Sequence, residues 1–263
     1  METSTKDFWE NRLAEDWTET GVGYRALGAA FNTWMYRVRR AVFLREMAAA
    51  PIDLPTAEVF DIGSGTGFYV DLWRELGVAG VTGSDITTAA VNNLRGRFPD
   101  SDFHPFDAAS LDLPVPAGAY DIVSAMDMLF HITDDAGHAQ ALRNAARLLR
   151  PGGLFVFSEN FLFGPEQRGP RQVNRSMHTI ERELAAAGLE PIRHTPMFVL
   201  MNAQVDAPWL RRRAWALVMR TATAAGLGGL AGRLLYPLEM RLLASRREGP
   251  STELMICRRI EQQ

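Results

Sequence analysis

An acidic residue followed by three glycines at alternate positions is the first feature of this sequence that could support chemistry. Asp61 ends an apolar run, and the glycines behind it are Gly63, Gly65 and Gly67. Glycine reaches positive φ and has no Cβ, so such a turn lets the backbone come close to a ligand. A dinucleotide-binding turn has its third glycine one residue later, and a carboxylate on the strand end would repel a pyrophosphate. The spacing therefore favours a ligand with a positively charged group.

Three more carboxylates follow apolar runs further along the chain. They belong to Asp85, Asp107 and Asp127. Asp85 lies about 20 residues beyond the glycine turn, where an acid usually binds the hydroxyl groups of a nucleoside ribose. Taken singly, each acid could instead cap a helix or lie in a solvated loop. Because parallel strands end at one edge of an open α/β sheet, the acids together indicate one ligand crevice.

An α/β sheet is the arrangement that would bring these acids together. Short apolar runs alternate with helical patterns along much of the chain, as in parallel strands joined by crossover helices. A helix is predicted directly behind the glycine turn, from Phe68 to Leu76, with its N-terminus towards the ligand. After the strand that contains Asp61, further strands are predicted over residues 78–84, 101–106, 120–126, 153–158, 191–200 and 252–258.

In the order of these motifs the chain resembles the class I S-adenosylmethionine-dependent methyltransferases, and in particular the small-molecule methyltransferases of the ubiquinone/menaquinone-biosynthesis type. The resemblance covers about residues 56–160. It implies a Rossmann-like, seven-stranded, mostly parallel α/β sheet, with an antiparallel seventh strand between the fifth and the sixth. The motifs that carry it are Val59–Gly67, Gly83–Ile86, Phe106–Ala108, Tyr120–Met126 and Leu148–Gly153.

The resemblance also implies a cofactor, S-adenosyl-L-methionine, with S-adenosyl-L-homocysteine as its product and no metal ion. The glycine turn would surround the methionine end, Asp85 the ribose, and Asp107 with the Ala108 backbone the adenine. Met126 and Asp127 would close the pocket beside the transferred methyl group. The candidate cofactor-binding residues are Tyr24, Asp61, Gly63, Ser64, Gly65, Gly67, Asp85, Ile86, Asp107, Ala108, Met126 and Asp127.

A hydroxyl acceptor must lose its proton, and His131 is the first candidate for the catalytic base. It lies five residues beyond Met126, and its ordinary pKa near 6.5 suits a base at neutral pH. A structural role in the loop or in the cofactor pocket is the alternative. Glu159, at the end of the fifth predicted strand, is the second candidate, either as a base or as a ligand of an acceptor hydroxyl.

Three arginines follow in the next loop, and with His131 and Glu159 they are the candidate substrate-binding residues. Guanidinium groups bind carboxylates and phosphates, so the loop could hold an anionic part of the acceptor. A solvated loop is the alternative interpretation. The three arginines are Arg168, Arg171 and Arg175.

Residues 1–50 are predicted to form a helical extension before the methyltransferase domain, which would span residues 51–263. In related methyltransferases such segments cover the cofactor as a lid. Tyr24 is a candidate for contacting the cofactor carboxylate, because a buried phenol needs a partner. Packing of the extension onto the sheet is the alternative, and it is the favoured interpretation for Trp9, Trp17 and Trp34.

A helical insert over residues 206–248 separates the sixth and seventh predicted strands. It contains eight arginines, and between Trp209 and Arg247 Glu239 is the single acidic residue. Leucine and aromatic residues lie between the arginines, in an amphipathic pattern. Three interpretations stay open: a cap over the acceptor pocket, which the pattern favours, an interface in a homodimer, and a basic surface that contacts anionic lipid.

The composition is that of a globular protein in a reducing compartment. Of the 263 residues, 47% are hydrophobic and 22% are charged, which is ordinary for soluble domains. Cys257 is the single cysteine, and no Cys/His spacing is typical of a metal site, so we expect a cytoplasmic protein. The charged start of the chain predicts no signal peptide, and no apolar run reaches the ~20 residues of a membrane span.

The sequence thus predicts an enzyme that methylates a small molecule, with a hydroxyl oxygen of a natural product or sugar-derived metabolite as the favoured acceptor. Carbon and nitrogen acceptors stay open, as do a peripheral membrane enzyme for a lipid or quinone and a non-catalytic cofactor-binding protein. A nucleic-acid partner is disfavoured, because the net charge is −3 and the fourth strand lacks the Asn/Asp-Pro-Pro-aromatic motif. We expect a monomer or homodimer, with a membrane surface as the less favoured partner.

Overall fold

A computed structural model describes residues 4–260 and contains one seven-stranded sheet. Its strands are β1 (Glu58–Ile62), β2 (Gly80–Asp85), β3 (Phe103–Pro105), β4 (Tyr120–Ala125), β5 (Leu149–Glu159), β6 (Leu189–Pro196) and β7 (Glu253–Arg259). They lie in the order β3-β2-β1-β4-β5-β7-β6, and β7 alone runs antiparallel to its neighbours. The predicted Rossmann-like fold is confirmed.

The strand order reverses at β1, which pairs with β2 on one side and with β4 on the other. In an open parallel sheet, the crossover helices lie on opposite faces on the two sides of such a reversal. They leave a crevice beyond the carboxyl ends of the two adjacent strands, here β1 and β4. Both strands are almost entirely buried, as expected where helices cover both faces. The fold therefore places the glycine turn after β1 beside the acidic end of β4.

Helices cover both faces of the sheet. They are α1 (Thr5–Glu15), α2 (Glu19–Val22), α3 (Gly28–Ala48), α4 (Phe68–Glu75), α5 (Thr88–Arg97), α6 (Asp135–Leu148), α7 (Met177–Ala186), α8 (Trp209–Ala224) and α9 (Gly228–Ser245). Side-chain oxygens cap the N-termini of several of these helices, because the first N–H groups of a helix have no partners within it. Thr87 accepts from Ala90 N at α5, and Asp134 accepts from Gly137 N at α6.

The N-terminal extension is fixed to the sheet by both packing and capping. In α3, Phe31, Val42 and Phe43 are fully buried against one face. Glu10, from α1, accepts hydrogen bonds from Thr88 N and Ala89 N at the start of α5, at 2.7 and 2.8 Å. The carboxylate thus satisfies two free N–H groups at the positive end of the α5 dipole, and α1 is held beside the crevice at the carboxyl ends of the strands.

The insert packs on the N-terminal extension. A Cβ at Gly232, on α9, would lie 2.3 Å from the Trp34 ring on α3, so this helix crossing requires glycine. Glu239 is fully buried, and its oxygens accept from Val199 N and Leu200 N at 2.6 and 2.7 Å. In the described part of the chain, no helix combines the length and the apolar character that crossing a membrane requires.

The same two hydrogen bonds explain a difference from the predicted strand at 191–200. β6 ends at Pro196, and the apolar residues behind it are buried as a loop. Their N–H groups bind Thr252 O and the Glu239 carboxylate instead of a neighbouring strand. An apolar run is typical of a buried loop as well as of a buried strand. The strand predicted from this run therefore continued beyond the residues that pair in the sheet.

Candidate active site

A cavity of about 740 Å³ opens at the carboxyl ends of β1, β2 and β4. The N-terminal extension forms part of the wall beside the glycine turn, and a loop with two short paired strands, Gln167–Arg168 and Val173–Asn174, forms another part. The candidate residues that line this cavity are Tyr24, Gly63, Ser64, Gly65, Asp85, Ile86, Asp107, Ala108, Met126, Asp127, His131, Arg168 and Arg171.

The three glycines of the turn all have positive φ, but an added Cβ would meet different surroundings at Gly67 and at Gly65. Their φ angles are 72°, 55° and 83°. A Cβ at Gly67 would lie 2.5 Å from the Phe98 ring, so this glycine allows close packing of the turn on α5. A Cβ at Gly65 would meet nothing closer than 3.7 Å. Gly65 therefore lines the cavity without a Cβ, so a ligand can come close to the turn, whereas Gly67 does not line the cavity.

Asp85 lies on the cavity wall and connects β2 to the glycine turn. Its Oδ2 accepts from Gly65 N at 3.0 Å, and its Oδ1 accepts from Thr87 N and Thr87 Oγ1 at 2.9 and 2.8 Å. Burial raises the pKa of this carboxyl, and the three hydrogen bonds oppose the shift. A carboxylate has room for about four such bonds, so Asp85 can still accept a hydrogen bond from a ligand hydroxyl.

Asp61 lies beneath the cavity rather than in its wall. It is buried, and it accepts a hydrogen bond from Ser124 Oγ, which itself accepts from Trp73 Nε1 at 3.1 Å. Burial raises the pKa of Asp61 to about 6. In this structure the side chain connects β1, β4 and α4, and its predicted contact with the cofactor stays a prediction.

The far end of the cavity contains Asp107 and Ala108. The Asp107 carboxylate is exposed, and its Oδ1 accepts from Ala109 N at 2.9 Å. Buried Asn144, on α6, donates to Ala108 O at 2.9 Å and to Ser110 O at 2.6 Å, and so fixes the loop after β3. The carboxylate and the adjoining backbone therefore have a fixed position at the edge of the cavity.

Asp127 has φ 56°, and it is the single residue other than glycine with positive φ among residues 4–260. Aspartate tolerates this region better than most side chains, and such outliers concentrate at functional sites. Arg39 Nε donates to its Oδ2 at 2.7 Å, and Ser158 Oγ donates to its Oδ1 at 3.1 Å. Burial alone would lower the pKa of Arg39, but Asp127 raises it above its ordinary value, so the guanidinium stays charged.

The Arg39–Asp127 pair belongs to a polar cluster that the sequence interpretation missed. Tyr36 and Tyr69 line the cavity with it, and burial raises the pKa of both phenols, so they stay protonated. Tyr36 and Arg39 are partly buried and lie one helical turn apart on α3, next to the buried residues Met35 and Val38. Polar side chains on an otherwise apolar helix face were the signal that could have identified them.

His131 lies in the cavity wall in a defined protonation state. Its Nδ1 is 2.9 Å from Arg171 O, and a carbonyl can only accept, so Nδ1 carries the proton. Trp9 packs edge-on against the imidazole ring at 4.9 Å. Burial lowers the pKa of His131 below its ordinary value. The ring is therefore neutral at pH 7, with its lone pair on Nε2.

Two further candidate residues lie outside the cavity. Glu159 is fully buried, neither of its oxygens has a hydrogen-bond partner among residues 4–260, and burial raises its pKa well above the ordinary value. Arg175 is fully buried and donates to Ile132 O at 2.9 Å and to Asp135 at 3.0 Å. In this conformation neither side chain reaches an acceptor, so their catalytic and substrate-binding roles stay predictions.

The two other arginines of the loop line the cavity and also bind neighbouring elements. Arg168 pairs with Asp135 at 2.8 Å and Glu166 at 2.7 Å. The Arg171 guanidinium lies over the Phe8 ring of α1, at 4.4 Å from its centroid. The loop thereby contacts the N-terminal extension above His131.

The cavity fits the cofactor that the motifs imply. Asp85 and Asp107 present carboxylate oxygens for ribose hydroxyls and an adenine amino group, and Gly65 presents backbone without a Cβ. A sulfonium also fits the aromatic wall formed by Tyr36, Phe68 and Tyr69, since aromatic faces attract cations. Among the described residues, no group of three or more His, Cys, Asp or Glu side chains could hold a metal ion.

Comparisons with known proteins agree with this description. Residues 60–157 match a family model described as a methyltransferase domain. The chain is 33% identical over 106 residues to the ubiquinone biosynthesis O-methyltransferase of Albidiferax ferrireducens, covering 38% of this chain and 40% of that protein. It is 30% identical over 150 residues to the 27-O-demethylrifamycin SV methyltransferase of Amycolatopsis mediterranei, covering 51% of this chain and 54% of that protein.

The chain spans about half, or less, of the length of the curated relatives that it matches. Over its whole length it resembles the N-methyltransferase NodS of Bradyrhizobium japonicum, solved with S-adenosyl-L-homocysteine, with a TM-score of 0.57 and 15% identity. This likeness covers 98% of this chain and 100% of that one, and at such identity it concerns the fold. Residues 60–157 therefore form a methyltransferase domain, and the relatives and the sheet order agree with the class I S-adenosylmethionine-dependent family that the motifs predicted.

Proposed function

We propose that this protein transfers a methyl group from S-adenosylmethionine to a hydroxyl oxygen of a small molecule, and that the acceptor is a natural product or a sugar-derived metabolite. The observation that carries the proposal is His131, a neutral imidazole with a free Nε2 in the cavity wall. An oxygen acceptor needs a base more than a neutral amine does, because a hydroxyl is nucleophilic only as its proton leaves.

The residues around the cavity support distinct parts of this reaction. When bound, S-adenosylmethionine supplies an activated methyl group on a sulfonium. Asp85, Asp107 and the glycine turn would hold it, as their positions in the cavity wall suggest. The Arg171 carbonyl holds the proton on Nδ1 of His131, so Nε2 can take the proton of the acceptor hydroxyl. The ion pair between Arg39 and Asp127 fixes the backbone between β4 and His131.

The size of the cavity and the relatives support a metabolite as the acceptor. A volume of about 740 Å³ is large enough for the cofactor and a second molecule. Two relatives have names that describe O-methylation. One is an O-methyltransferase of ubiquinone biosynthesis, and the other is the methyltransferase of 27-O-demethylrifamycin SV. The buried single cysteine is consistent with the cytoplasmic location that we also propose.

The experiment that tests the acceptor class uses the protein with methyl-labelled S-adenosylmethionine and fractionated metabolites. The proposal predicts label in a small molecule, with a methyl ether located by NMR where the substrate had a hydroxyl. Reactions without protein, and with S-adenosylhomocysteine added as product inhibitor, are the controls. A labelled N-methyl or C-methyl product would replace the hydroxyl proposal with one of the other acceptor atoms, and label in nucleic acid would reject the small-molecule class.

A further inference from the structure

We infer that the outward faces of α8 and α9 form a docking surface for an anionic lipid membrane. This surface, called here the insert face, is defined by large apolar side chains that are about half exposed or more. Leu217 is 69% exposed and Leu234 is 66% exposed. The apolar residues of the insert face are Leu210, Leu217, Val218, Leu227, Leu230, Leu234 and Leu238.

These side chains lie opposite the packed sides of their helices. On α8 the fully packed residue is Met219, two positions from exposed Leu217. On α9 the buried residues Gly228, Gly232, Glu239 and Leu243 form one stripe. The exposed leucines of α9 recur every three or four residues, so they share the other face. The core is therefore complete without the insert face, which leaves an apolar surface without a partner in this chain.

The charges around these leucines match an anionic surface. Exposed arginines flank them on both helices, and none has an ion-pair or side-chain hydrogen-bond partner within residues 4–260. Glu239, the single acid between Trp209 and Arg247, is buried and bonded to Val199 N and Leu200 N. The positive charge is therefore unopposed inside the chain. The flanking arginines are Arg211, Arg213, Arg220, Arg233 and Arg241.

A membrane fits this pattern better than a second copy of the chain does. In a two-fold dimer the same patch meets itself, so arginines would face arginines with no acid between them. A bilayer with anionic headgroups offers both an apolar layer for the leucines and negative charge for the guanidinium groups. Trp209, 62% exposed and stacked under the Arg213 guanidinium at 5.2 Å, has the amphipathic side chain that favours such an interface.

The first turns of α8 also border the mouth of the active site. Trp209, Arg212 and Trp215 line a pocket of about 360 Å³, and Arg212 and Tyr24 lie in both this pocket and the main cavity. Docking through the insert face would therefore bring lipid close to the entrance for the acceptor. The docking itself does not depend on the proposed hydroxyl methylation, and each can fail without the other.

Co-sedimentation of the full chain with vesicles tests the inference. We expect the protein to bind vesicles that contain phosphatidylglycerol, to release them at high salt, and to bind vesicles of phosphatidylcholine alone much more weakly. Each arginine near an anionic surface contributes about 1 kcal/mol, so Arg220→Gln with Arg241→Gln should weaken binding by roughly 30-fold. The double variant Arg182→Gln with Arg258→Gln removes the same charge from exposed positions elsewhere and should bind like wild type.

Leu217→Glu with Leu234→Glu gives a second, independent test of the apolar contribution. Both side chains point to solvent, so we expect an unchanged melting temperature and loss of vesicle binding. The inference would be overturned if the wild-type protein did not bind vesicles that contain phosphatidylglycerol. It would also be overturned if light scattering showed a dimer that these variants split, because the insert face would then be an interface between copies. Binding of S-adenosylhomocysteine, measured in parallel, should not change.

Discussion

At the scale of single residues, one backbone carbonyl decides the chemical state of His131. Arg171 O accepts from Nδ1, so the proton is held on the nitrogen that faces the loop. Burial of the ring lowers the pKa and disfavours the imidazolium. The same ring without this contact could exchange tautomers and offer Nε2–H to an acceptor. The proposed role of His131 as a base therefore depends on the loop as much as on the histidine.

Replacing this histidine tests the base directly. For His131→Gln we expect a fall in kcat of about 100-fold or more, since a general base typically contributes that much. Cofactor affinity should change little. In wild type, kcat should fall as the pH drops through the lowered pKa, below about 6.5, and level off above it. Steady-state rates across pH check both, and a variant that keeps the acidic limb would contradict the assignment.

Asp85 is the residue on which cofactor affinity should depend most. Asp85→Asn keeps the shape of the side chain but removes the charge that accepts from hydroxyl groups. We expect S-adenosylhomocysteine to bind roughly tenfold to a hundredfold more weakly, since hydrogen bonds to a charged group contribute about 1–3 kcal/mol. Calorimetry measures this affinity. Asp100→Asn, at an exposed position, is the matched control, and equal affinities for the two variants would reject the ribose role.

At the scale of elements, α1 and the residues directly behind it border the crevice and form hydrogen bonds with other elements. Glu10 caps α5, and Trp17 Nε1 donates to Gly65 O at 3.0 Å, in the glycine turn itself. Arg12 donates to the carbonyl oxygens of Gly21 and Gly23, which fixes the bend before α3. The extension is thus attached to the cofactor side of the sheet and not only to its apolar face.

Loss of the α5 cap should loosen α1 selectively. In Glu10→Ala, Thr88 N and Ala89 N lose their acceptors, which we expect to cost about 1 kcal/mol, as for other helix caps. Amide exchange should become faster in α1 and at the start of α5, and stay unchanged in β4 and β5. Hydrogen-exchange mass spectrometry measures amide exchange in both Glu10→Ala and a control variant, Glu15→Ala. Glu15 is an exposed glutamate on the same helix. Identical exchange in the two variants would contradict the capping role.

Elements with a local signal could be predicted from the sequence, and elements defined by distant partners could not. The glycine turn, the helix behind it and the start of α6 at Asp134 follow from neighbouring residues. The predicted end of β6 was wrong because Glu239, on the insert, accepts hydrogen bonds from Val199 N and Leu200 N, beyond the end of the strand. No local pattern predicts a hydrogen bond across so long a separation in sequence.

The candidate site divides in the same way. Asp85, Asp107 and Asp127 lie in the cavity wall because each lies at or just beyond the carboxyl end of a parallel strand, where open α/β sheets bind their ligands. Arg39 reaches Asp127 from the N-terminal extension, and this contact depends on how α3 packs. Arg175 was expected in the loop at the active edge, but its side chain is buried against Ile132 and Asp135. Side-chain direction in an irregular loop has no periodic signal.

At the scale of the whole molecule, the unpaired buried Glu159 should shape the pH dependence of stability. Its pKa in the folded state is raised well above the ordinary value of 4.5. The folded protein therefore keeps a proton that the unfolded chain releases, and stability falls as pH rises between the two pKa values. The carboxylate form has no hydrogen-bond partner among residues 4–260, so its burial is costly.

Glu159→Gln removes this titration. We expect the variant to be more stable than wild type at alkaline pH and to depend less on pH above about 4.5. Urea unfolding at a series of pH values measures the difference, with Glu181→Gln, an exposed glutamate on α7, as the control. Equal pH profiles for the two variants would contradict the raised pKa. Retained methyl transfer in Glu159→Gln would also exclude a catalytic base at this position.

The packing of the insert on the N-terminal extension has a consequence for how these two segments can be exchanged between homologues. Trp34 contacts Tyr236, Tyr24 stacks near Trp215, and Thr223 reaches Leu27 O, although the two segments lie at opposite ends of the chain. A chimaera that takes one segment from a homologue would leave the other facing a mismatched surface. We therefore expect a chimaera to fold well when both segments are taken from the same homologue, and poorly when only one of them is.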